Sequence, residues 1–311
     1  MKSFAIVGSG AVGSYYGGRL AKAGNEVRFL MRRGCELVRK TGLRVESTEG
    51  DFFLPEVNCA RESRELGPVD VVIVAWKATA NHRFAEVLPP LLHDGTVILT
   101  LQNGLGNIEA LSKLFGVERI LGGMCFVCIN RIEPGLIRHT GGGMVSIGEA
   151  RGGATPRLRE LAEIFRGAGV ECEISDDFEE AQWRKLIWNI PFNGLCITEG
   201  GIDTGTLLAM PGGEDRVRVL MREVVAIAAA LGHEIENEYV EFQISRTYPM
   251  KDYRPSSMLD YVNGHPVEVE AIWGIPHRIA TERQVEAPRL QELLMAIMTS
   301  VASRPKPQSP E

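Results

Sequence analysis

The sequence predicts an α/β protein in which a domain built on a parallel sheet is followed by an all-helical domain. An apolar run at the N-terminus leads through a glycine-rich turn into a helical pattern. Two later runs, Val69–Ala75 and Thr96–Leu101, are almost continuously apolar, as expected of strands buried on both faces of a parallel sheet. Beyond Ser175–Asp177 the patterns are helical. A chain of 311 residues favours two domains.

The composition is that of an ordinary globular protein. Hydrophobic residues make up 44% and charged residues 24%, and the net charge of −6 argues against nucleic acid as a partner. No run approaches the roughly 18 apolar residues of a membrane span, and the N-terminus lacks a signal-peptide pattern, so we expect a cytoplasmic protein. The pair Cys125 and Cys128 lies in an apolar run without a second metal-binding pair, which favours buried reduced thiols over a metal site.

The first strand, predicted over Phe4–Val7, ends in Gly8-Ser9-Gly10-Ala11-Val12-Gly13, and a helical pattern follows to Leu20. One glycine makes the tight turn, one lets the backbone approach a pyrophosphate, and one lets the helix pack closely on the strand. The helix N-terminus then faces the phosphates. This arrangement predicts a Rossmann domain in which residues 8 to 13 bind a dinucleotide.

The end of the second predicted strand, Glu26–Met31, indicates which dinucleotide is bound. A carboxylate at this point would hold the 2′-hydroxyl of NAD, but the sequence continues with Arg32 and Arg33. Guanidinium groups bind a phosphate bidentately, which favours NADPH, with Arg32 as the first candidate. The alternative is that both arginines are solvated surface residues.

Two more strand ends carry polar side chains. Val69–Ala75 leads to Lys77, and Thr96–Leu101 leads to Gln102-Asn103-Gly104. Ligands of open α/β sheets bind at the carboxyl ends of the strands, so Lys77 and Asn103 are expected beside cofactor or substrate. For Asn103 the alternative is a plain turn, because Asn-Gly is a common turn pair.

The remaining elements of the first domain complete the sheet. Leu121–Ile132 and Met144–Ile147 are predicted strands, and the glycines at 141–143 are taken as the connection between them. A helix over Pro156–Gly167 and a last strand over Val170–Ile174 follow. The first domain is assigned residues 1–175 and the second 176–303.

The second domain is predicted from its helical patterns. Helices are expected over Phe178–Ile197, over Val217–Leu231 and over residues 236–247. Tyr248–Ser257 is expected to be a loop, and a further helix starts at Pro266 with Glu268 in its first turn, where an acid also suits the helix dipole. Residues 304–311 contain three prolines and no apolar cluster, which predicts a disordered tail.

The helix over Phe178–Ile197 carries three polar residues at a spacing of four: Lys185, Asn189 and Asn193. This spacing keeps them on one side of a helix. The alternative is that Lys185 extends to solvent along an apolar surface and the asparagines bond to the backbone. Pro191 removes a backbone donor and should kink the helix, which leaves the direction of Asn193 least certain.

Five motifs occur along the chain in this order: the glycine turn, Lys77, Gln102-Asn103-Gly104, the Lys185/Asn189/Asn193 helix, and Ser257 followed by Glu268. Together they resemble the ketopantoate reductase (2-dehydropantoate 2-reductase) family over almost the whole chain. The resemblance implies a Rossmann domain followed by an all-helical domain like that of 6-phosphogluconate dehydrogenase. It also implies NADPH-dependent reduction of 2-dehydropantoate to pantoate, in the synthesis of pantothenate and coenzyme A.

The resemblance also assigns roles to residues. Lys185 corresponds to the catalytic lysine and Glu268 to the acid of the site; substrate-binding and cofactor-lining groups correspond to Asn103, Lys77, Asn189, Asn193 and Ser257. The interval from Ser257 to Glu268 is one residue shorter than the family pattern, so Ser256 is an alternative to Ser257. Glu270 stands where an aspartate is usual and is an alternative to Glu268.

Two other functions compete with this one. A relative could reduce another branched 2-oxo acid, because the motifs fix the hydride chemistry better than the pocket for the alkyl group. A dinucleotide-sensing protein would keep the glycine turn and lack catalysis, but the sequence argues against it because the presumed acid, its carboxylate and the amides are all present. The expected binding partner is a small 2-oxo acid, and a homodimer is considered as an assembly. We expect the protein to bind neither nucleic acid nor a membrane.

Overall fold

The computed structural model describes residues 2–304, and the chain divides into two compact units. Among these residues, the sheet unit comprises 2–103 and 107–178, and the helical unit comprises 104–106 and 179–304. The short segment 104–106 belongs to the helical unit, where the Leu105 amide N–H donates to the Ala271 carbonyl at 2.9 Å.

The sheet unit is built on one ten-stranded sheet with the order β4-β3-β9-β8-β7-β6-β1-β2-β5, and β10 pairs with β9. The strands are β1 Ser3–Val7, β2 Glu26–Leu30, β3 Leu43–Ser47, β4 Phe52–Leu54, β5 Asn58–Ala60, β6 Val71–Val74, β7 Val97–Thr100, β8 Ile120–Glu133, β9 Leu136–Glu149 and β10 Cys172–Ile174. From β5 to β8 all neighbouring strands are parallel, which puts the carboxyl ends of β1, β2, β6 and β7 at one edge.

Burial explains why the apolar runs form the centre of this sheet. Every residue of β6 is buried, and Phe4–Val7 of β1 are fully excluded from solvent. A strand covered on both faces has no position at which a polar side chain reaches water, so its sequence is continuously apolar. The predicted strands over residues 4–7, 26–31, 69–75 and 96–101 are confirmed.

The predicted connection at residues 141–143 is wrong. β8 and β9 form one long antiparallel hairpin whose turn is Pro134-Gly135, with Gly135 at φ 88°. Gly141 and Gly142 pair with Cys128 and Val127 inside the ladder, and the register shifts beside them. Gly142 and Gly143 have positive φ in this β-bulge, so the glycines serve a bulge and not a loop.

The helices of the sheet unit are α1 Ala11–Lys22, α2 Cys35–Thr41, α3 Phe84–Val87, α4 Asn107–Phe115 and α5 Pro156–Gly167. The predicted bounds of α5 are confirmed. Cys125 and Cys128, predicted to be buried, are only half-buried on β8, and neither forms a disulfide bond.

The helical unit contains α6 Phe178–Thr198, α7 Thr204–Ala209, α8 Gly213–Ala229, α9 Asn237–Ser245, α10 Ser256–Val262, α11 Ile275–Glu282 and α12 Pro288–Ser303. Its core is formed around α6, whose Trp183, Ile187 and Phe192 are fully buried. α6 continues through Pro191. The predicted helices over 178–197 and 236–247 are confirmed, and α8 begins at Gly213, four residues before its predicted start.

Two details of the second half differ from prediction. The segment predicted as a loop up to Ser257 already forms α10 from Ser256 onward. Glu268 lies just before its helix and not in the first turn, because its carbonyl accepts the first helical hydrogen bond, from the Ile272 amide at 3.2 Å. Residues 270–274 then form a π-helical turn that leads into α11.

Arg304, assigned by prediction to a disordered tail, is held in place. Its guanidinium donates to the carbonyl oxygens of Asp260, Tyr261 and His265 at 2.9 to 3.3 Å. The rest of the predicted tail, residues 305–311, lies outside the described residues. Among the helices that the structure describes, none has the length and apolar character needed to cross a membrane.

Candidate active site

The glycine turn after β1 has no room for side chains at two of its positions. Gly8 has φ 102°, and a Cβ atom there would lie 2.3 Å from the backbone nitrogen of Trp76. A Cβ on Gly13 would lie 2.3 Å from the Gly8 carbonyl oxygen. Local conformation and close packing therefore both require glycine, so the turn follows the backbone of β1 tightly into α1.

Gly10 differs from the other two glycines because a Cβ atom there would meet nothing within 4 Å. Gly10 is also the N-cap of α1 and has no side chain with which to cap the helix. The first amide N–H groups of a helix point along its axis and carry partial positive charge, so they suit a phosphate. An open approach to uncapped amides fits the pyrophosphate of a dinucleotide.

The end of the second strand, β2, lies beside this glycine turn. The Ser9 hydroxyl donates to the Leu30 carbonyl at 3.0 Å and so ties the glycine turn to the end of β2. Arg32 and Arg33 follow β2 directly and are exposed, and Gly34 at φ 82° ends the loop. Two exposed guanidinium groups at this position suit a 2′-phosphate.

Lys77 and Asn103 lie at the same edge of the sheet, after β6 and β7. Lys77 immediately precedes the 3₁₀ turn Ala78–Arg83, and Asn103 follows β7 by three residues. Both residues are half-buried. The parallel pairing of β6 with β7 therefore brings a cation and an amide to the carboxyl edge that also carries the glycine turn.

Lys185 and Asn189 are half-buried on α6, and Asn193 is only 2% exposed. The Asn193 side-chain nitrogen donates to the Asn189 carbonyl at 3.0 Å, and its oxygen accepts from the Ser257 amide at 2.8 Å. Asn193 thus connects α6 to the first turn of α10. Beyond Pro191 its side chain turns towards α10 and is tied into the protein itself.

Burial separates the paired candidates that the sequence left open. Ser257 is 2% exposed, whereas Ser256 beside it is exposed. Glu268 is 7% exposed, whereas Glu270 is exposed and forms an ion pair with Arg278. In each pair one residue is enclosed by the helical unit and the other points to solvent.

The sequence patterns did not single out Asn81, in the turn that follows β6, or Asn107, at the start of α4. The Asn81 nitrogen donates to the Asn107 oxygen at 2.7 Å, and Asn107 donates to the Asn103 carbonyl at 3.0 Å. The sequence signal that could have identified Asn107 is its position three residues after the Gln102-Asn103-Gly104 motif. Asn81 lies 26 positions from Asn107, and only the fold brings the two together.

A Rossmann-type sheet with an uncapped glycine turn, followed by an all-helical unit, defines a two-domain dinucleotide-dependent oxidoreductase. Comparison with known proteins narrows this class. Residues 4–152 match the family "Ketopantoate reductase PanE/ApbA", and residues 177–300 match its C-terminal family, "Ketopantoate reductase PanE/ApbA C terminal". The chain belongs to the ketopantoate reductase family, as the resemblance predicted.

Individual relatives match over nearly their whole length. The 2-dehydropantoate 2-reductase of Nostoc sp. is 39% identical over 294 residues, covering 93% of this chain and 92% of the relative. The crystal structure of 2-dehydropantoate 2-reductase from Geobacter metallireducens is 44% identical, with a TM-score of 0.93 over 96% of this chain and 99% of the solved chain. An uncharacterised oxidoreductase of Bacillus subtilis, YkpB, is 34% identical over 93% of this chain and 95% of its own.

Proposed function

We propose that this protein reduces 2-dehydropantoate to pantoate with NADPH. The observation that carries the proposal is that both halves of the chain match the two ketopantoate reductase families, and that relatives with this activity in their names align over more than nine-tenths of the chain. The uncapped glycine turn supports the same activity because it suits a dinucleotide. The enzyme is an NADP-dependent oxidoreductase that acts on a CH–OH group.

Within this proposal, the domain of residues 1–175 binds the cofactor. The amide groups at the start of α1 hold the pyrophosphate, with residues 8 to 13 as the cradle, and Arg32 holds the 2′-phosphate. Bound NADPH supplies the hydride for the ketone. Lys77 and Asn103, at the carboxyl edge of the sheet, contact the nicotinamide end and the substrate, where an ammonium and a carboxamide attract or bond to oxygen atoms.

The domain of residues 176–303 supplies the proton and binds the substrate. As the ketone is reduced, negative charge develops on its oxygen, and the Lys185 ammonium stabilises this charge and donates a proton to it. A lysine ammonium, whose unperturbed pKa is near 10.4, can serve as such a proton donor. The Glu268 carboxylate, enclosed by the helical unit, orients the ammonium and favours its charged form.

The enclosed members of the two uncertain pairs are assigned to the site. Glu270 is engaged by Arg278 at the surface, so Glu268 takes the acidic role. Ser257 and Asn189 bind the carboxylate or hydroxyl of the substrate, and exposed Ser256 does not. Asn193 contributes mainly by holding the amide of Ser257, since its own amide already bonds to α6 and α10.

A substrate panel tests the activity. NADPH oxidation is followed with ketopantoate, ketoisovalerate and larger branched 2-oxo acids, and each is repeated with NADH. Ketopantoate with NADPH should give the highest kcat/KM. A higher value for another acid would reassign the enzyme within the same chemistry, and NADPH binding without turnover of any acid would favour a dinucleotide sensor.

The biological setting follows from this activity. Pantoate formation places the enzyme in pantothenate and coenzyme A synthesis, which we assign to the cytoplasm. A deletion strain that requires pantoate or pantothenate for growth would support this place in metabolism. Light scattering of the purified protein would show whether it forms the homodimer considered above.

A further inference from the structure

A chain of polar side chains connects the loops that follow β6 and β7 within the sheet unit. Its centre is Asn81, whose oxygen accepts from the Trp76 indole nitrogen at 3.3 Å and from the Gln102 side-chain nitrogen at 2.7 Å. The Asn81 nitrogen donates to the Asn107 oxygen at 2.7 Å. The Asn107 nitrogen in turn donates to the Asn103 carbonyl at 3.0 Å.

The direction of every bond in this chain is determined by its ends. The Trp76 indole N–H can only donate, so the Asn81 oxygen must face it. The Thr100 hydroxyl donates to the Gln102 oxygen at 2.9 Å, which leaves the Gln102 nitrogen to donate to Asn81. The Asn81 nitrogen therefore faces Asn107. Reversing any one amide would bring two oxygens or two N–H groups together.

Burial makes these orientations hard to replace with water. Thr100, Gln102 and Asn107 are between 2% and 8% exposed, and Asn81 between them is half-buried. Buried polar groups that lose a partner destabilise the arrangement that requires it, and networks of such groups act together. A change at Asn81 is therefore transmitted to Asn107 and to the backbone of Asn103.

We propose that Asn81 is a positioning residue for the reduction. It fixes the backbone of Asn103 through Asn107, and it holds the turn that begins directly after Lys77 through Trp76 and Gln102. The inference rests on the proposed function, because that function places Asn103 and Lys77 beside nicotinamide and substrate. Asn81 acts through these residues.

The substitution Asn81→Asp tests the direction of the chain. The carboxylate still accepts from Trp76 and Gln102 but has no hydrogen to donate to the Asn107 oxygen. Asn107 would have to turn its N–H groups towards the carboxylate, and its oxygen would then face the Asn103 carbonyl. A protonated carboxyl group restores the lost donor, so acid should restore the arrangement. Partial burial and the facing Asn107 oxygen raise the pKa of this carboxyl group, whereas the N–H groups of Trp76 and Gln102 lower it, so the titration is followed over a wide pH range.

The experiment measures kcat and the KM values for ketopantoate and for NADPH between about pH 4.5 and about pH 9, a range that reaches from near the ordinary titration of a carboxyl group to well above it. It compares the wild type with Asn81→Asp, Asn81→Ala and the control Asn25→Asp. Asn25 also donates to one carbonyl, that of Leu20 at 3.1 Å, but it precedes β2 at the opposite end of the parallel strands.

The ratio to wild type isolates the effect of each substitution, because the charged side chains on the Asn81 turn and on the neighbouring α3 and α4 are the same in all four proteins: Lys77, His82, Arg83, Glu86, Glu109 and Lys113.

At the alkaline end kcat of Asn81→Asp should fall by about tenfold or more, since the buried Asn107 oxygen loses its donor and such a loss has effects of that size. The KM for NADPH should change by less than about twofold, because the phosphate contacts are untouched. The ratio to wild type should rise as the pH falls. Asn81→Ala should lose activity at every pH, and Asn25→Asp should match the wild type. An activity loss in Asn81→Asp that does not depend on pH would overturn the proposal, as would full activity.

A second variant and a second measurement keep the test decisive. If Asn81→Asp does not fold, Asn107→Asp takes its place, because its carboxylate faces the Asn103 carbonyl and acid should again restore activity. If the wild type reduces no 2-oxo acid, the proposed function fails, and hydrogen exchange of residues 101–108 then decides the positioning role. Exchange should be faster in Asn81→Asp than in the wild type or in Asn25→Asp, and equal rates would refute the role.

Discussion

The glycine turn gives a prediction in which two alanine substitutions in one hexapeptide have opposite effects. In Gly10→Ala the new methyl group enters open space, and the backbone already has a negative φ of −78°. In Gly8→Ala the methyl group would lie 2.3 Å from the Trp76 backbone nitrogen, at a φ of 102°. Gly10→Ala should therefore spare the fold and impair the ligand, whereas Gly8→Ala should damage the fold itself.

The magnitudes follow from these environments. Replacing glycine by alanine at an N-cap costs about 1 kcal/mol at most, so Gly10→Ala should lower Tm by only a few degrees. For Gly8→Ala, backbone strain of about 1–3 kcal/mol adds to a comparable cost for the overlap with Trp76. Together these predict a Tm lower by roughly 5 °C or more.

NADPH affinity should show the reverse order. A methyl group on Gly10 separates the phosphate from the α1 amides, and losing a charge-assisted hydrogen bond of about 1.5–3 kcal/mol weakens binding by about tenfold to a hundredfold. Calorimetry gives Tm, and quenching of tryptophan fluorescence gives Kd. Unaltered NADPH affinity in Gly10→Ala would refute the assignment of this open face to the pyrophosphate. An unchanged Tm in Gly8→Ala would refute the steric argument.

Four further changes have defined outcomes. Lys185→Ala should reduce kcat by orders of magnitude and leave NADPH binding intact, because it removes a partner of the transition state. Arg32→Ala should weaken NADPH more than NADH in titrations of both cofactors. Asn193→Ala should lower the free energy of unfolding by about 2–4 kcal/mol in urea titrations, because the Asn189 carbonyl and Ser257 amide lose a buried partner. Asp203→Ala should cost about 1 kcal/mol at neutral pH and progressively less in acid.

The sign of the Asp203 effect follows from its hydrogen bond. The Thr206 amide N–H donates to the Asp203 carboxylate at 2.7 Å at the start of α7, and this bond lowers the pKa of the carboxyl. Ionised Asp203 thus stabilises the folded state above the unfolded pKa of about 3.9, and the contribution is lost as the pH falls through the lower folded pKa. Asp203→Asn, which keeps a capping oxygen, is the control. A gap between Asp203→Ala and the wild type that widened in acid would contradict this account.

Controls separate the remaining outcomes. Lys113→Ala, in the last turn of α4, should leave turnover unchanged, and near-normal turnover in Lys185→Ala would remove that residue from the mechanism. Arg64→Ala, a substitution of another exposed arginine, should affect neither cofactor. Equal weakening of NADPH and NADH by Arg32→Ala would mean that Arg32 does not bind the 2′-phosphate. Wild-type stability in Asn193→Ala would show that its two bonds do not hold α6 to α10.

The elements that could be predicted are those whose residue types are dictated by local constraints. β1 and β6 are apolar at nearly every position because both of their faces are covered, and the glycine turn requires glycine at Gly8 for its own backbone angle. Such constraints act over a few neighbouring residues. The central strands, the dinucleotide turn and the helical second half could therefore be inferred from residue patterns alone.

The glycines at 141–143 show where this reasoning ends. Glycine is common both in loops and in bulges, and the difference lies in the partner strand. Gly142 lies opposite Val127 in β8, and the Tyr16 hydroxyl donates to the Gly143 carbonyl at 3.2 Å. Tyr16 is 127 positions from Gly143 in sequence, so local sequence propensity could not predict this contact.

The sequence by itself determined the family, the fold class, the glycine turn and the set of polar residues from which the site is proposed. Tertiary structure alone decided which members of that set are enclosed. Glu268 and Glu270 are chemically identical and two positions apart, yet one is 7% exposed and the other pairs with Arg278 at the surface. Asn81 is connected to the strand-end residues only by hydrogen bonds to Gln102 and Asn107, which are far from it in sequence. Composition and spacing can identify candidate residues. Their burial and hydrogen-bond partners depend on non-local packing, so only the folded structure determines these properties.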